Sequence, residues 1–514
     1  MIRHRTANDQ HRTLNNAMFH TLPWAVSAIL GMAFTPYIVH GFGEEAYGAL
    51  AIVLGIVGYL SFLDLNLGQA ALKYVAEFRG EGSLAKINDV AGTIIFLFLG
   101  IGIIGGLALL LSVDTISTRF LKIRPDLVQT TRSALYIGAV GFPAILILSA
   151  ATGIVNGLNR FDITGKMTIG SSILIAVGTV SLIKFGYGIE WVVALNVGAS
   201  LLGFGVLIRT AKRVMPGLKC KPVFRGKMAG VVLGFASYTV LGRFAFVMTF
   251  ECDKLLAGVL LGSSYVTFYS VPAMLAKRIM DAITRCAYVT YPMFSELQGR
   301  KALEQVTDLY LNASRIVFVL ATSIALPLLI FGNKFLVAWM GHEFAGNAGM
   351  VMQLSTVALY LVAATQVPSL LLNGLGFVKI TGLFALLGAG LSLALIYPLT
   401  SIMGMGVDGI AASFLISRIV SVPAFLIVAN RKIIGLSIVK LLREVYVRPV
   451  ILGALVWAVV CVLPIYRVHN IFLTIGAMAL TSMLYIASAM IVGLFTNTER
   501  QAVITYVRKL SNTA

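Results

Sequence analysis

The sequence predicts an all-α polytopic membrane protein of about fourteen transmembrane helices, arranged as two six-helix bundles around a central cavity with two more helices after them. Three observations predict it. Hydrophobic residues make up 58% of the 514 and charged residues only 12%, about half the charged share of a soluble domain. Apolar runs of roughly eighteen residues or more, enough to cross a bilayer, follow one another from end to end. Lys and Arg gather in alternate connections between those runs. A soluble domain on a single anchor is excluded, because no polar stretch is long enough to build a separate core.

Spans are expected at about residues 18–40, 45–67, 90–112, 132–155, 167–184, 190–208, 228–250, 264–290, 311–331, 348–372, 379–402, 409–429, 449–465 and 471–494. The basic start, MIRHRTANDQHRTLNN, leads into the first run without a small-residue cleavage site, so that run reads as a retained span. Breakers mark several ends: Gly41 and Gly43 after the first span, Pro125 before the fourth, Pro292 after the eighth, Pro449 opening the thirteenth. Interior prolines such as Pro143, Pro272 and Pro327 fit lipid-embedded helices, where neighbours or water satisfy the freed carbonyls.

Orientation follows from the cations. With the N-terminus inside, 27 of the 40 Lys and Arg fall on the inner side and 8 on the outer, which places both termini in the cytoplasm. The densest inner stretch, RTAKRVMPGLKCKPVFRGK (209–227), holds seven basic residues and no acidic one. It follows six spans and reads as a topogenic connection between bundles; a lipid-headgroup or partner patch is the other reading. The organisation expected is a tail (1–17), an N-terminal bundle (18–208), the basic linker (209–227), a C-terminal bundle (228–430), a cytoplasmic loop (431–448), two extra helices (449–494) and a cytoplasmic tail (495–514). In such a chain the net charge of +19 is loop charge, and no nucleic-acid surface is implied.

Five cations remain, all within spans: Arg243, Lys277, Arg278, Arg285 and Arg418. A charge near mid-bilayer costs about 2.5–3.5 kcal/mol on insertion scales, so a group of them calls for water or an anionic ligand. Lys277, Asp281 and Arg285 recur at i, i+4 and i+8, which stacks them on one helical face. With Arg278 beside them and Arg243 on the preceding helix, four cations meet one carboxylate. Arginine forks suit phosphate oxygens. The plainer reading pairs Asp281 with Lys277 or Arg285 and lets the other cations snorkel. Arg418, in the twelfth span, either faces the cavity or meets a backbone carbonyl. Asp64, near the inner end of the second span, is a candidate for ion coupling, for capping or for charge pairing. Four cysteines and six histidines lack metal-ligand spacing, and no Walker-type phosphate loop occurs, so no metal, cofactor or ATP hydrolysis is implied.

FGEEAYGALAIVL after the first span and LGSSYVTFYSVPAML after the seventh both place an apolar residue and a glycine at a turn, then an aromatic, then a new span. Six spans apart, they point to two bundles related by an axis along the membrane normal. The run 47–82, YGALAIVLGIVGYLSFLDLNLGQAALKYVAEFRGEG, resembles the polysaccharide-type flippases of the multidrug/oligosaccharidyl-lipid/polysaccharide exporter superfamily. The turn at 261–270, YPMFSELQGR (291–300) and FLVAWMGHEFAGNA (335–348) extend that resemblance, in order and spacing, over residues 15–430. Asn66 and Thr267 stand where that family usually has glycine.

The resemblance implies a two-lobed transporter, not an enzyme, that alternates between inward- and outward-open states in the cell's cytoplasmic membrane. Its expected cargo is a lipid-linked oligosaccharide on polyprenyl pyrophosphate, moved to the outer leaflet for O-antigen, exopolysaccharide or a related envelope glycan. The headgroup would meet the cationic cavity while the tail stays in membrane lipid. Partners expected on the same ground are a glycan polymerase or glycosyltransferases of the pathway. Two other readings stay open. A cation or drug exporter of the same superfamily would be expected to carry carboxylates in its cavity. A membrane polymerase or ligase would need a sizeable outer loop, and the longest one is at 113–131.

Overall fold

The computed structural model describes residues 7–64, 67–117, 124–234, 252–288, 303–431, 435–463 and 470–495, with isolated positions between 244 and 294. Among them every regular element is helical. Among the described residues eleven helices are long and apolar enough to cross a membrane, and they coincide with the first, the third to sixth and the ninth to fourteenth expected spans. The chain is thus an all-α, multi-pass membrane protein. The other three expected spans differ for separate reasons. The second is helical only over Glu44–Leu60 and then tightens into a 3₁₀ turn, Ser61–Asp64. Most of the seventh, with Arg243, lies outside the described residues. The eighth is a full helix, Ser263–Tyr288, whose charges break its apolar character.

The described residues form two compact units, Met1–Thr267 and Phe268–Ala514. The first contains α1 (Ala7–Phe42), α2 (Glu44–Leu60), α3 (Leu67–Gly80), α4 (Leu84–Thr115), α5 (Pro125–Gly157), α6 (Phe161–Lys184), α7 (Ile189–Val214) and α8 (Cys252–Leu260). Its core lies where α3, α4, α5 and α7 meet, around Leu67, Val75, Ile94, Phe98, Phe142 and Ile154. Close packing there depends on small residues. A Cβ on Gly102 would sit 2.7 Å from Pro143 Cα, and one on Gly106 2.6 Å from the Ala139 carbonyl oxygen. That Gly-x-x-x-Gly spacing lets two lipid-embedded backbones touch, where packing and not hydrophobicity must hold helices together.

The basic linker is laid along α4. Asn88 accepts from the Lys219 amide at 2.7 Å and donates to the Gly217 carbonyl at 3.2 Å. The Val223 amide reaches the Gly92 carbonyl at 3.2 Å, and Arg225 lies 3.3 Å from Asp89. Cys220 is drawn partly into this contact, and burial pushes its thiol up to about 11 against a smaller downward pull from Lys212. The segment is a strap with its own hydrogen bonds as well as a connection.

The helix α9 (Ser263–Tyr288) begins in the first unit and continues into the second. The second unit continues with α10 (Leu303–Met340), α11 (His342–Ala363), α12 (Gln366–Gly374), α13 (Val378–Tyr397) and α14 (Val407–Ala429). It closes with α15 (Ile438–Leu441), a π-helical stretch Leu442–Val447, α16 (Arg448–Val462) and α17 (Ile471–Ile491). At 38 residues, α10 measures about 57 Å against a hydrocarbon core of about 30 Å, so it projects beyond the membrane. Its buried residues join two clusters. Tyr310, Val317 and Phe318 pack with Val367, Phe425 and Tyr446; Val319, Leu326 and Phe331 pack with Leu452, Val456 and Tyr485 of the last two helices.

A repeated turn occurs once in each unit. Asn156-Gly-Leu leads to Ile163-Thr164-Gly, and Asn373-Gly-Leu leads to Ile380-Thr381-Gly. In both, the threonine hydroxyl donates to the asparagine side-chain oxygen at 2.7 Å. Asn159 (φ 59°) and Gly376 (φ 85°) occupy the same place in the two turns, both left-handed. The turn glycines Gly43 (φ 84°) and Gly262 (φ 112°), both in the first unit, are likewise left-handed.

Candidate functional site

The helix α9 forms because its apolar residues recur at helical spacing on one face. Ala276, Ile279, Ile283 and Ala287 are all fully buried, the last three in the core built around Tyr310 and Val367. Residues 277, 278, 281 and 285 project from the opposite face, and all four are half-buried. The arc holds three cations and one carboxylate. Arg278 Nη1 lies 3.4 Å from Asp281 Oδ2, with side chains 29% and 31% exposed. Arg278 Nε is buried and has no hydrogen-bond partner among the described residues. A neighbouring tie fixes the helix further along: Thr284 donates to the Gln366 side-chain oxygen at 3.2 Å.

Magnitudes decide what this face is for. An i,i+3 ion pair on a helix contributes about 0.2–0.5 kcal/mol. Each charge held at membrane depth costs several times that, about 2.5–3.5 kcal/mol. With three cations to one carboxylate, the arc carries a net positive charge. A surplus of positive charge, kept half-buried, suits a multivalent anion, for which guanidinium forks give paired hydrogen bonds.

The remaining sequence candidates lie on other elements or outside the described residues. Arg243 lies outside the described residues. Arg418, on α14, is 7% exposed and packs where α13 meets α14. Its guanidinium stacks 4.8 Å from the Phe414 ring centroid, and Nη1 would be 2.7 Å from a Cβ placed on Gly388. Its Nε and Nη2 have no hydrogen-bond partner among the described residues. Asp64 closes the 3₁₀ turn after α2 and accepts a hydrogen bond from Ser149 of α5 at 3.4 Å. The repeated Asn-Gly-Leu turn escaped a reading built on apolar runs. Its signal was the Asn-Gly-Leu-x₄-Ile-Thr-Gly spacing, at 156–165 and again at 373–382.

Fold and charged face together define a polytopic α-helical membrane protein with a cationic arc on one helix. Solved structures of transporters share its fold. The lipid II flippase MurJ in an inward closed conformation superimposes with a TM-score of 0.71 at 14% identity, covering 92% of this chain and 98% of that one. An inward-facing multidrug-resistance MATE transporter of the MOP superfamily gives 0.71 at 15% identity, covering 82% and 98%. The chain belongs to the polysaccharide biosynthesis protein family, which it matches over residues 13–298. A candidate O-antigen transporter of Shigella flexneri is 19% identical over 395 residues, 76% of this chain and 92% of that protein.

Proposed function

We propose that the protein is a flippase that carries polyprenyl-pyrophosphate-linked oligosaccharide from the cytoplasmic to the outer leaflet by alternating access. The observation that carries this reading is the α9 arc, where Lys277, Arg278 and Arg285 outnumber Asp281 opposite a fully buried apolar face. Pyrophosphate supplies the multivalent negative charge such an arc lacks. Arg243 and the buried Arg418 join it as headgroup contacts, with Asp64 and Asp281 in charge pairing or ion coupling. The family and the Shigella relative support a saccharide cargo. The shared MATE fold does not favour a cation exporter, since a cationic substrate would be repelled by this arc.

In this reading both termini are cytoplasmic, the host membrane is the cytoplasmic one, and the glycan is passed on to a polymerase or glycosyltransferases of the pathway. The test is export of surface glycan by a host lacking its own flippase. The parent chain restores export; Arg243→Ala and Arg278→Ala insert normally and do not. Normal export by both variants overturns the assignment.

A further inference from the structure

Between the twelfth and thirteenth expected spans, a cavity of about 420 Å³ is lined by Ser437, Val439, Lys440, Arg443, Glu444 and Arg448. Three of the six are cations and one is a carboxylate. Lys440, Arg443 and Arg448 are exposed, and none of the four charged groups pairs with another among the described residues. One side of the segment that carries them is fixed: Leu441, Val445 and Tyr446 are buried in the core, and the Tyr446 hydroxyl donates to the Ala364 carbonyl at 2.8 Å. The other side shows Val439 (68% exposed), Leu442 and Val447 beside the cations.

The π-helical stretch Leu442–Val447 sets the alignment. Its wider turn offsets the drift of an α-helix, so residues four and eight apart, 440, 444 and 448, return to one line. Such stretches are uncommon and concentrate at functional positions. Beyond Arg448 the same side continues into lipid-facing residues: Ile451 (56% exposed), Leu455 (60%) and Val459 (52%). A cationic cavity thus sits directly above an apolar track on a single helix.

We infer that this cavity binds the headgroup of an anionic phospholipid, with its phosphate among Lys440, Arg443 and Arg448 and its acyl chain along Ile451, Leu455 and Val459. A soluble anion would use the cations but not the track; a zwitterionic lipid would use the track but gain nothing from the net positive charge. Juxtamembrane cations each add to the attraction for acidic lipid. This inference stands on residues 437–459 alone and is independent of the α9 arc.

The test uses the full chain carrying Leu455→Trp, in phosphatidylcholine vesicles containing a minor fraction of lipid brominated at mid-chain. Residue 455 lies about 10 Å along the helix from Arg448, at the depth the bromines reach. The emission that L455W adds to the parent's should be quenched by brominated phosphatidylglycerol on the order of tenfold more efficiently than by brominated phosphatidylcholine. Arg443→Gln and Arg448→Gln should each reduce that preference, and K440Q/R443Q/R448Q should remove it. A control, R209Q/K212Q/R213Q, should keep it, and excess inorganic phosphate should leave it unchanged. Equal quenching by the two lipids, an equal loss in the control, or displacement by inorganic phosphate would each overturn the proposal.

Discussion

The Thr267 hydroxyl donates to the Glu44 carbonyl oxygen at 2.5 Å, joining the first turn of α2 to the second turn of α9. One turn along, Gly48 meets the backbone of Ser263: a Cβ there would fall 1.8 Å from the Ser263 carbonyl oxygen. The partner is backbone, so a side chain on Gly48 cannot be accommodated by a rotamer change. Gly48→Ala should therefore cost about 1–3 kcal/mol, as overpacking does. Thr267→Val, which loses one hydrogen bond, should cost about 1 kcal/mol. Thermal unfolding of the purified protein reads both. The two changes share one contact, so the double variant should lose less than the sum of the single losses. A neutral Gly48→Ala would show that the helices do not approach this closely.

The α9 arc predicts an asymmetry between its own charges. Arg278 and Arg285 are offered to a multivalent anion, and a hydrogen bond to a charged group contributes about 1.5–3 kcal/mol. Replacing either by Ala should lower glycan export by roughly tenfold or more. Asp281→Asn removes a carboxylate whose ion pair with Arg278 contributes about 0.2–0.5 kcal/mol, and it raises the net positive charge. Export by D281N should stay within about twofold of the parent on that magnitude. If D281N fails as badly as the arginine variants, the carboxylate is part of the transport machinery and not merely a neighbour to a headgroup site.

The strap along α4 can be followed through Cys220. Its thiol is held up to about 11 chiefly by burial, so near neutral pH little of it is thiolate, the form that alkylates. Asn88 supplies two of the hydrogen bonds that keep residues 217 and 219 in place. In Asn88→Ala the thiol should fall toward its ordinary value. At fixed pH below both values the thiolate share rises about tenfold for each unit of fall. Maleimide labelling of Cys220 should quicken accordingly, and trypsin should cut sooner at Lys219. Unchanged labelling and cleavage would mean the strap is held elsewhere.

Span positions were legible because the length and apolarity of a lipid-embedded helix are properties of the segment alone. That holds for α4 to α7 and for α10 onward. It fails at α2, which turns to 3₁₀ at Ser61, because the Ser149 that meets Asp64 at the end of that turn belongs to a different helix. The charged arc was visible as a spacing, but the Arg278–Asp281 contact was not. Residues three and four apart are both neighbours on a helix, so spacing alone does not choose between them. The strap was hidden for a further reason. Its bonds run from linker backbone to Asn88 and Gly92, and pairings of that kind leave no periodicity in the chain.

The repeated Asn-Gly-Leu turns allow the sharpest test, because one position separates backbone conformation from space. Gly376 has φ 85° and nothing within 4 Å of where its Cβ would be. Any cost of a substitution there is conformational, not steric crowding by neighbours. The matching place in the first turn is filled by Asn159 at φ 59°, the one non-glycine residue with positive φ among those described. Asparagine tolerates the left-handed region through local hydrogen bonds, whereas most L-residues lose about 1–2 kcal/mol there. Gly376→Asn and Asn159→Gly should thus unfold at nearly the parent temperature. Gly376→Val should lose about 1–2 kcal/mol or more, since a β-branched side chain is least at ease at positive φ. Asn159→Val should lose a similar amount if the two turns do the same work. A Gly376→Asn variant as unstable as Gly376→Val would break the equivalence of the turns and, with it, the local case for an internal repeat.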